Sequence, residues 1–404
     1  MNLLFVIPYY ACDDKTGGGQ RTRLLLKSVC SLKDVSIDLI ILGEQGKQYP
    51  QDIVSEDINK ATYLDLLPRA KIGFWKFLRP LNPSKFDSLA TALGRRAVLY
   101  SSDMLARKNV IDFSQYDVVV SRYLRPLSQT GVFDSSVSAK IYLDIDDRDD
   151  VLYSSRMNMP TVSLWVRLFF SWHLKQIQSI QKKILPLCDH VWLASDKDLQ
   201  QLPTRKESVL NNIPYSLPEK LTSSAAVSQN NKTLLFVGSY GHRINKEGVK
   251  HFLNVCWPKI IKASPEISLR IVGSGGWQNI KSEVSSVENV EIVGFCDDLN
   301  EEYKKALFTI VPLYEGGGTK IKVLESYLFG RLAVGTQHAY FGYDKLSELS
   351  AKAISDNDEA LINNVLYFLE NPKICHDMAV KGSDFVSDNY TFESFKKSVL
   401  SVFE

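Results

Sequence analysis

The sequence lacks several features that would assign a protein quickly to a class. Its six cysteines are scattered, with no CxxC pair or other zinc-ligand spacing, which argues against a zinc site and favours a reducing compartment. Neither sign of charge dominates, because 48 Lys and Arg face 46 Asp and Glu for a net charge of +2. A general nucleic-acid binder is therefore not expected. No apolar run approaches the ~20 residues that span a bilayer.

Motifs of several enzyme classes are also missing. The six histidines form no HExxH pattern and no serine lies in a GxSxG elbow, which argues against a zinc protease and a hydrolase of that type. A GxGxxG dinucleotide fingerprint cannot be laid across residues 17–22, and residues 273–276 lack its third glycine. The segment MNLLFVIPYY has no basic stretch before its apolar run, so we expect a buried first strand and a cytoplasmic protein.

What the sequence has is the pattern of two α/β domains. Its 404 residues fit two domains, and 45% apolar with 23% charged residues is typical of soluble globular proteins. Short apolar runs alternate with helical patterns in each half, which predicts two doubly wound, Rossmann-like parallel sheets facing across a cleft. The predicted strands are Leu3–Pro8, Ile37–Leu42, Val118–Ser121, Lys140–Leu143 and His190–Ala194, followed by Thr233–Val237, Ser268–Val272, Val290–Val293, Phe308–Pro312 and Leu332–Gly335.

The domain boundaries follow from the same pattern. Residues 1–205 form the predicted amino-terminal domain, and residues 206–232, rich in Pro, Ser, Asn and Thr, form the predicted linker. Residues 233–388 form the predicted second domain. Residues 389–404 carry a helical apolar stripe, and we expect this last helix to pack back on the first domain.

The stretch Pro312–Ser326 carries the strongest chemical signal. A strand ends there, three glycines follow, and a helix begins, with Thr319 as a plausible cap. Glycines let backbone N–H groups approach an anion, and Lys320 and Lys322 add charged donors beside the helix N-terminus. We interpret this stretch as a diphosphate cradle in which Glu325 accepts hydrogen bonds from sugar hydroxyls. The alternative is an ordinary turn with a solvated lysine pair.

A second cluster of charge follows the predicted strand that begins at Lys140. The run from Asp144 to Asp150 holds five carboxylates, and crowded acids at the end of a strand suggest a site. Asp144 and Asp146 also form a DxD pattern, which keeps a divalent metal open as an alternative. A solvated turn that caps the next helix is the preferred explanation for Asp149 and Asp150.

Several segments together resemble the GT-B glycosyltransferases, and in particular the retaining glycosyltransferase family 4 (glycosyl transferases group 1) of bacterial surface-polysaccharide synthesis. The matching pieces, besides the glycine-lysine-glutamate stretch, are Phe236–Ser239, Leu269–Ser274, Val293–Leu299 and Gly330–Val334. The resemblance implies a nucleotide-diphosphate-sugar donor on the second domain and a glycan or lipid-linked saccharide acceptor on the first. It implies retention at the anomeric carbon, with no metal and no other cofactor required.

The resemblance also implies residue roles. It places Asp146 and Asp147 over the transferring sugar, Gly294 and Phe295 at the nucleobase, and Glu325 on the ribose. Together with Lys322, the two aspartates and Glu325 form the expected catalytic set. Gly317 stands where the family often has a first glutamate, so a backbone contact is expected there. The expected donor-binding set is Gly18, Gly19, Arg21, Gly238, Arg243, Lys246, Gly294, Phe295, Gly317, Gly318, Thr319, Lys320, Lys322 and Glu325.

The region 69–108 is strongly basic and aromatic. It holds nine Lys or Arg against two Asp, interleaved with aromatic residues. Anionic lipid headgroups or a lipid-diphosphate acceptor would suit it, so we expect peripheral contact with the inner face of the membrane. Helices with basic outer faces are the alternative.

A glycosyltransferase of surface-polysaccharide synthesis is thus the predicted function. Two alternatives remain open: a sugar-nucleotide epimerase of similar fold, and a non-catalytic donor-binding partner subunit, which is motivated by Gly317.

Overall fold

The computed structural model describes residues 1–12, 17–44, 57–66, 111–134, 137–146, 148–157, 164–214, 231–285, 287–315 and 318–404. The chain divides into two compact units: unit 1 comprises Met1–Tyr215 with Phe392–Glu404, and unit 2 comprises Ser216–Thr391. The basic region 69–108 and residues 215–230 of the predicted linker lie outside the described residues, as do Asp147 and Gly317.

Unit 1 is built on a seven-stranded parallel sheet with the order β3-β2-β1-β4-β5-β6-β7. Its first strand pairs Leu3 with Ile37 on one side and with Val118 on the other. The strands β1, β4 and β5 are buried almost throughout, as expected where a parallel sheet is covered on both faces. The strands are β1 (Asn2–Pro8), β2 (Ser36–Glu44), β3 (Lys60–Leu66), β4 (Val118–Arg122), β5 (Lys140–Ile145), β6 (His190–Leu193) and β7 (Glu207–Val209).

The helices of unit 1 cover this sheet and close its core. Leu4, Val119, Leu143 and Val191, from four neighbouring strands, are completely buried in one apolar cluster. No helix in the described part of the chain is both long and apolar enough to cross a bilayer. The helices are α1 (Gly17–Cys30), α2 (Leu124–Gln129), α3 (Asp149–Met157) and α4 (Leu164–Ile184), and short 3-10 turns lie at Tyr9–Ala11, Phe113–Gln115, Val132–Asp134, Leu185–Leu187 and Asp196–Asp198.

Unit 2 is built on a six-stranded parallel sheet with the order β10-β9-β8-β11-β12-β13. From β8 the chain moves outward through β9 and β10, then returns to β11 on the other side of β8, where Phe308 pairs with Leu234. This reversal makes the carboxyl ends of β8 and β11 the switch point, where open α/β sheets bind ligands. The strands are β8 (Thr233–Val237), β9 (Ser268–Val272), β10 (Val290–Gly294), β11 (Phe308–Val311), β12 (Ala333–Thr336) and β13 (Ile354–Ser355).

The helices of unit 2 begin where the sequence has recognisable start signals. The Asn357 side chain accepts a hydrogen bond from the Ala360 N–H at the start of α10, and α11 begins with Pro372. The helices are α5 (Arg243–His251), which continues through a π turn (Phe252–Cys256) into α6 (Trp257–Ala263), then α7 (Asn300–Lys305), α8 (Ile321–Leu328), α9 (Asp344–Leu349), α10 (Asp358–Glu370) and α11 (Pro372–Asn389), with 3-10 turns at Trp277–Ser282 and Ala351–Ala353.

The last helix, α12 (Phe392–Leu400), belongs to unit 1 rather than to the sheet that precedes it. Its Phe392 ring lies 4.7 Å from the Lys27 Nζ on α1, and Phe395 and Val399 are buried. Beyond the helix, the Val402 carbonyl accepts a hydrogen bond of 3.2 Å from the Tyr142 hydroxyl on β5. Apolar burial and these contacts hold the end of the chain on unit 1.

Three strands that the apolar runs did not predict complete the sheets. They are β3, β7 and β13, and β7 lies inside the segment 206–232 that was predicted as a linker. β7 has three residues and β13 has two, which is too short for a recognisable alternating or continuous apolar pattern. β3 carries charged residues between its apolar ones, because it lies at the edge of the sheet.

Candidate functional site

Gly238, directly after β8, brings three groups together at the switch point of unit 2. A Cβ atom at this position would lie 2.7 Å from the Asn245 Nδ2 and 2.8 Å from the Lys322 Nζ. A larger residue here would therefore displace the Asn245 amide and the Lys322 ammonium group from the end of β8. The sequence placed Gly238 at this strand end and Lys322 beside the glycine run, and the structure joins the two.

Lys322 has only neutral partners in the described part of the chain. Its ammonium group donates to the Asn245 Oδ1 at 2.6 Å and to the Val237 carbonyl at 3.1 Å, and it lies 4.6 Å from the centre of the Phe236 ring. Burial lowers the pKa of Lys322 to about 7; the nearby Glu325 carboxylate opposes this shift and the Lys320 charge adds to it. A bound phosphate group could accept a hydrogen bond from this ammonium group, which has no hydrogen-bonded carboxylate in the described residues.

Glu325 lies one helical turn after Lys322 on α8 and is partly buried. Burial raises the pKa of Glu325, and the Lys322 ammonium group opposes that shift. The two residues therefore interact electrostatically, although no hydrogen bond joins them. The predicted contact between Glu325 and a ribose stays a prediction.

Arg243, the first residue of α5, is paired with a glutamate that sequence reasoning missed. Both carboxylate oxygens of Glu315 accept from the Arg243 Nη2, at 2.7 and 2.6 Å. The Glu315 side chain is 4% exposed, whereas that of Arg243 is 50% exposed. The sequence signal for Glu315 is an acidic residue just after the apolar run that ends at Pro312.

The other predicted cations of unit 2 have partners in the fold. The Lys246 Nζ lies 2.8 Å from the Glu283 Oε1 and over the Tyr240 ring, so phosphate contact by Lys246 would require that ion pair to open. Hydrogen bonds from Lys246 and Tyr240 lower the pKa of Glu283 to about 2. Lys320 is buried and donates to the Gly318 carbonyl at 2.6 Å, which fixes the turn.

The helix cap differs from the one predicted. Lys320, not Thr319, occupies the N-cap position of α8, and no side chain caps the helix there. Gly318 has a φ of +66°, a left-handed conformation that glycine adopts without strain. The backbone N–H groups of the first helical turn are therefore not covered by a capping side chain, which suits an anion site.

At the end of β10, Gly294 and Phe295 present an open surface. Gly294 has a φ of +85°, and a Cβ atom there would meet nothing within 4 Å. The Phe295 side chain is 55% exposed. The predicted contact of this turn with a nucleobase stays a prediction.

In unit 1, Arg21 lies in the interior. Its side chain is 1% exposed, and its Nε and Nη2 donate hydrogen bonds to the Asp144 carboxylate. Its Nη1 donates to the Leu210 carbonyl and to the Asn212 Oδ1. All three guanidinium nitrogens are thus engaged. A phosphate contact by Arg21 would require some of these hydrogen bonds to open, so the predicted contact stays a prediction.

Asp144 and Asp146 are joined through Arg122 at the end of β4. Arg122 pairs with the Asp144 Oδ2 and reaches the Asp146 Oδ2 at 3.1 Å. Although burial alone would raise it, the two guanidinium groups hold the pKa of Asp144 below its usual value. Asp144 could bind a metal only by releasing these arginines, which counts against the DxD alternative.

The remaining predicted residues of unit 1 surround this ion-pair network. Gly18 and Gly19 lie in the first turn of α1, and a Cβ atom at Gly18 would lie 2.6 Å from the Tyr123 hydroxyl. The Asp146 Oδ1 is buried and has no hydrogen-bond partner in the described residues. Asp150, predicted as a solvated cap, instead forms an ion pair with Arg148 at 2.6 Å, because both side chains are largely buried.

Comparison with known proteins gives one family match, which lies within unit 2. Residues 231–371 match the family model described as Glycosyl transferases group 1. Over 402 residues, covering 96% of this chain and 95% of its relative, the sequence is 23% identical to a Klebsiella pneumoniae protein named "Uncharacterized 44.6 kDa protein in cps region".

Solved structures show the fold of the whole chain. A glycosyltransferase from Rickettsia africae is similar with a TM-score of 0.64 and 14% identity, covering 100% of this chain and 98% of that one. HepE from Anabaena, solved in complex with UDP-glucose, is similar with a TM-score of 0.63 and 12% identity, covering 100% and 99%.

These matches confirm two expectations drawn from the sequence. The chain has the GT-B fold. Residues 231–371 match the model of the group 1 glycosyl transferases, and on that match the protein is a glycosyltransferase. Its assignment to family 4 stays a prediction.

Proposed function

We propose that the protein transfers a sugar from a nucleotide-diphosphate donor to a glycan or lipid-linked saccharide acceptor, with retention, in the synthesis of a surface polysaccharide. The observation that carries the donor site is the placement of Lys322 at Gly238, with two neutral hydrogen-bond acceptors and no carboxylate partner in the described residues. A diphosphate is the ligand that best completes such an ammonium group.

The donor is held by unit 2 in this proposal. The Arg243 side chain, half-exposed on the first turn of α5, and the first turn of α8 supply further N–H donors around the switch point. Because HepE was solved with UDP-glucose, a UDP-sugar is the first donor to test. The exposed Phe295 ring beside Gly294 gives the nucleobase an apolar surface.

Catalysis rests mainly on stabilising the leaving diphosphate. As the bond to the sugar breaks, negative charge develops on the diphosphate, and pre-positioned cations stabilise that charge more than they stabilise the bound donor. Lys322 and Arg243 provide this stabilisation without a metal. The leaving diphosphate itself accepts the acceptor proton, so no protein nucleophile is required.

The acceptor site is proposed in unit 1, at the carboxyl ends of β4 and β5. Asp146, held by Arg122, orients the acceptor hydroxyl in this account. Support for a surface polysaccharide comes from the Klebsiella pneumoniae relative, whose name places it in a cps region. A lipid-linked acceptor and membrane contact through the basic region 69–108 belong to the same proposal.

The test measures donor turnover in Lys322→Met. Purified protein is incubated with UDP-glucose, UDP-galactose, UDP-N-acetylglucosamine and GDP-mannose, and nucleotide release is followed with and without saccharide acceptors. We expect Lys322→Met to lose at least ten-fold in turnover, a charged hydrogen bond being worth about 1.5–3 kcal/mol. Lys262→Met, at an exposed position on α6, is the matched control and should retain wild-type turnover.

The same incubations separate the alternatives. Product analysis of donor without acceptor would reveal an epimerised sugar if the protein were an isomerase. Nucleotide binding without turnover across the acceptor panel would instead indicate a donor-binding partner subunit. Near-normal turnover of Lys322→Met would remove Lys322 from the mechanism.

A further inference from the structure

The pair formed by Arg243 and Glu315 is asymmetric in a way that suggests a function. Glu315 is almost completely buried, and both of its carboxylate oxygens accept from one nitrogen, the Arg243 Nη2. Arg243 is half-exposed, and its Nε and Nη1 have no partner in the described part of the chain. One edge of the guanidinium group is therefore fixed while the rest is available.

The pair lies at the strand ends where the donor site is proposed. Glu315 follows β11, and Arg243 begins α5 after β8. A Cβ atom at Gly248 would overlap the Pro312 carbonyl oxygen, so this glycine lets α5 pack directly on the chain leaving β11. Asn245, two residues after Arg243, accepts the hydrogen bond from Lys322. One helical turn thus supplies Arg243 and also anchors Lys322.

We propose that Glu315 is a positioning residue, which holds Arg243 so that its remaining N–H groups bind the donor diphosphate. This inference rests on the proposed function. A guanidinium group is planar, so fixing Nη2 also fixes the directions of the other N–H bonds. An arginine held in this way loses less conformational entropy when it binds than a mobile one does.

A purely electrostatic account predicts the opposite effect of losing Glu315. Glu315 carries a negative charge beside a site for an anion, so Glu315→Gln raises the net charge of the site by one. If charge alone mattered, this variant would bind a diphosphate more tightly. If Glu315 positions Arg243, the variant binds more weakly, since a neutral amide holds a guanidinium group less firmly than a carboxylate does.

The experiment compares nucleotide affinities by calorimetry at constant salt. The probe is whichever of UDP, GDP and dTDP binds the wild-type protein, together with its monophosphate. We expect Glu315→Gln to weaken diphosphate binding about ten-fold and to affect the monophosphate less. Glu283→Gln is the matched control: it removes a carboxylate from Lys246 in the same unit, adds the same charge, leaves Arg243 untouched, and should not weaken binding.

A double-mutant cycle separates positioning from general destabilisation. In the Arg243→Ala background, Glu315→Gln should produce no further loss of affinity, because the arginine that it positions is gone. Thermal melting reports whether each variant folds, and Arg243→Lys, which keeps the charge and loses the planar fork, tests the same claim if Glu315→Gln does not fold. Arg243→Lys should weaken diphosphate binding about as much as Arg243→Ala does.

Unchanged or tighter diphosphate binding by Glu315→Gln would overturn the inference while leaving the proposed function intact. An equal loss from Glu315→Gln with and without Arg243 would also overturn it. A wild-type protein that binds none of the three diphosphates would overturn the proposed function, and the inference with it.

Discussion

Donor binding should weaken as the pH rises above 7, because the charge on Lys322 is easily lost. Burial lowers the pKa of this lysine to about 7 in the protein without donor. A bound diphosphate would stabilise the ammonium form and raise the pKa again. Binding therefore requires that Lys322 be protonated, and at alkaline pH it must take up a proton to become so.

The size of the effect follows from that pKa. With a pKa of about 7, about a quarter of the molecules carry a charged Lys322 at pH 7.5 and about 1% do so at pH 9. If only the charged form binds well, the affinity for UDP falls about 20-fold between these pH values. The terminal phosphate of the nucleotide has a pKa of about 6, so its own charge changes little over this range.

Isothermal titration calorimetry with UDP at pH 7.5, 8.25 and 9 measures this dependence directly. At pH 7.5, buffers of different ionisation enthalpy should reveal an uptake of about three quarters of a proton per UDP bound. Lys322→Arg keeps its charge over the whole range, so its affinity should be nearly independent of pH. An affinity of the wild-type protein that changes less than two-fold between pH 7.5 and 9 would refute the reasoning.

Three further predictions follow from single contacts. Asp144→Asn leaves Arg21 and Arg122 buried without their shared carboxylate, so we expect the free energy of unfolding, measured in urea, to fall by about 3–5 kcal/mol; wild-type stability would contradict this. Gly238→Ala places a methyl group 2.7 Å from the Asn245 Nδ2 and 2.8 Å from the Lys322 Nζ, so UDP affinity should fall about ten-fold, whereas equal affinity would show that the close approach is unnecessary. Lys322→Met removes a buried charge and should raise the free energy of unfolding by about 1 kcal/mol at pH 7. Between pH 7 and 10.5, Lys322 binds fewer protons in the folded protein than in the unfolded chain, so the free energy of unfolding of the wild-type protein rises with pH. The stabilisation by Lys322→Met should therefore shrink as the pH rises. A stabilisation that did not shrink would contradict the lowered pKa of Lys322.

Most strands were predictable because they are short apolar runs of at least four residues that alternate with helical patterns. Leu3–Pro8 and Thr233–Val237, for example, were each recognised from their composition alone. In the structure, each lies in the first strand, in chain order, of its sheet. β7 and β13 escaped prediction because strands of two or three residues carry no periodic signal. Their pairing depends on neighbours that are distant in sequence.

The positions of the glycines at the candidate site could be predicted from the sequence, whereas the partners of its charged side chains could not. Gly238 and Gly294 were singled out by the resemblance to the glycosyltransferase family, and in the structure Gly238 is a point of close approach and Gly294 has a left-handed backbone conformation. Asn245 was not recognised because an asparagine on the first turn of a helix has many possible uses. Its role follows from Lys322, which lies 77 positions later and donates to it at 2.6 Å.

Which cation is available for a ligand depends on where the fold places carboxylates. Arg21 and Lys322 both follow a strand and a glycine-containing turn, so the sequence treats them alike. The fold brings Asp144, 123 positions after Arg21, into contact with that arginine, and it gives Lys322 only neutral oxygens in the described residues. Arg21 therefore stabilises the interior of unit 1. Lys322 has no hydrogen-bonded carboxylate in the described residues, and burial lowers its pKa. Arg243, held by Glu315 at only one nitrogen, is intermediate between Arg21 and Lys322.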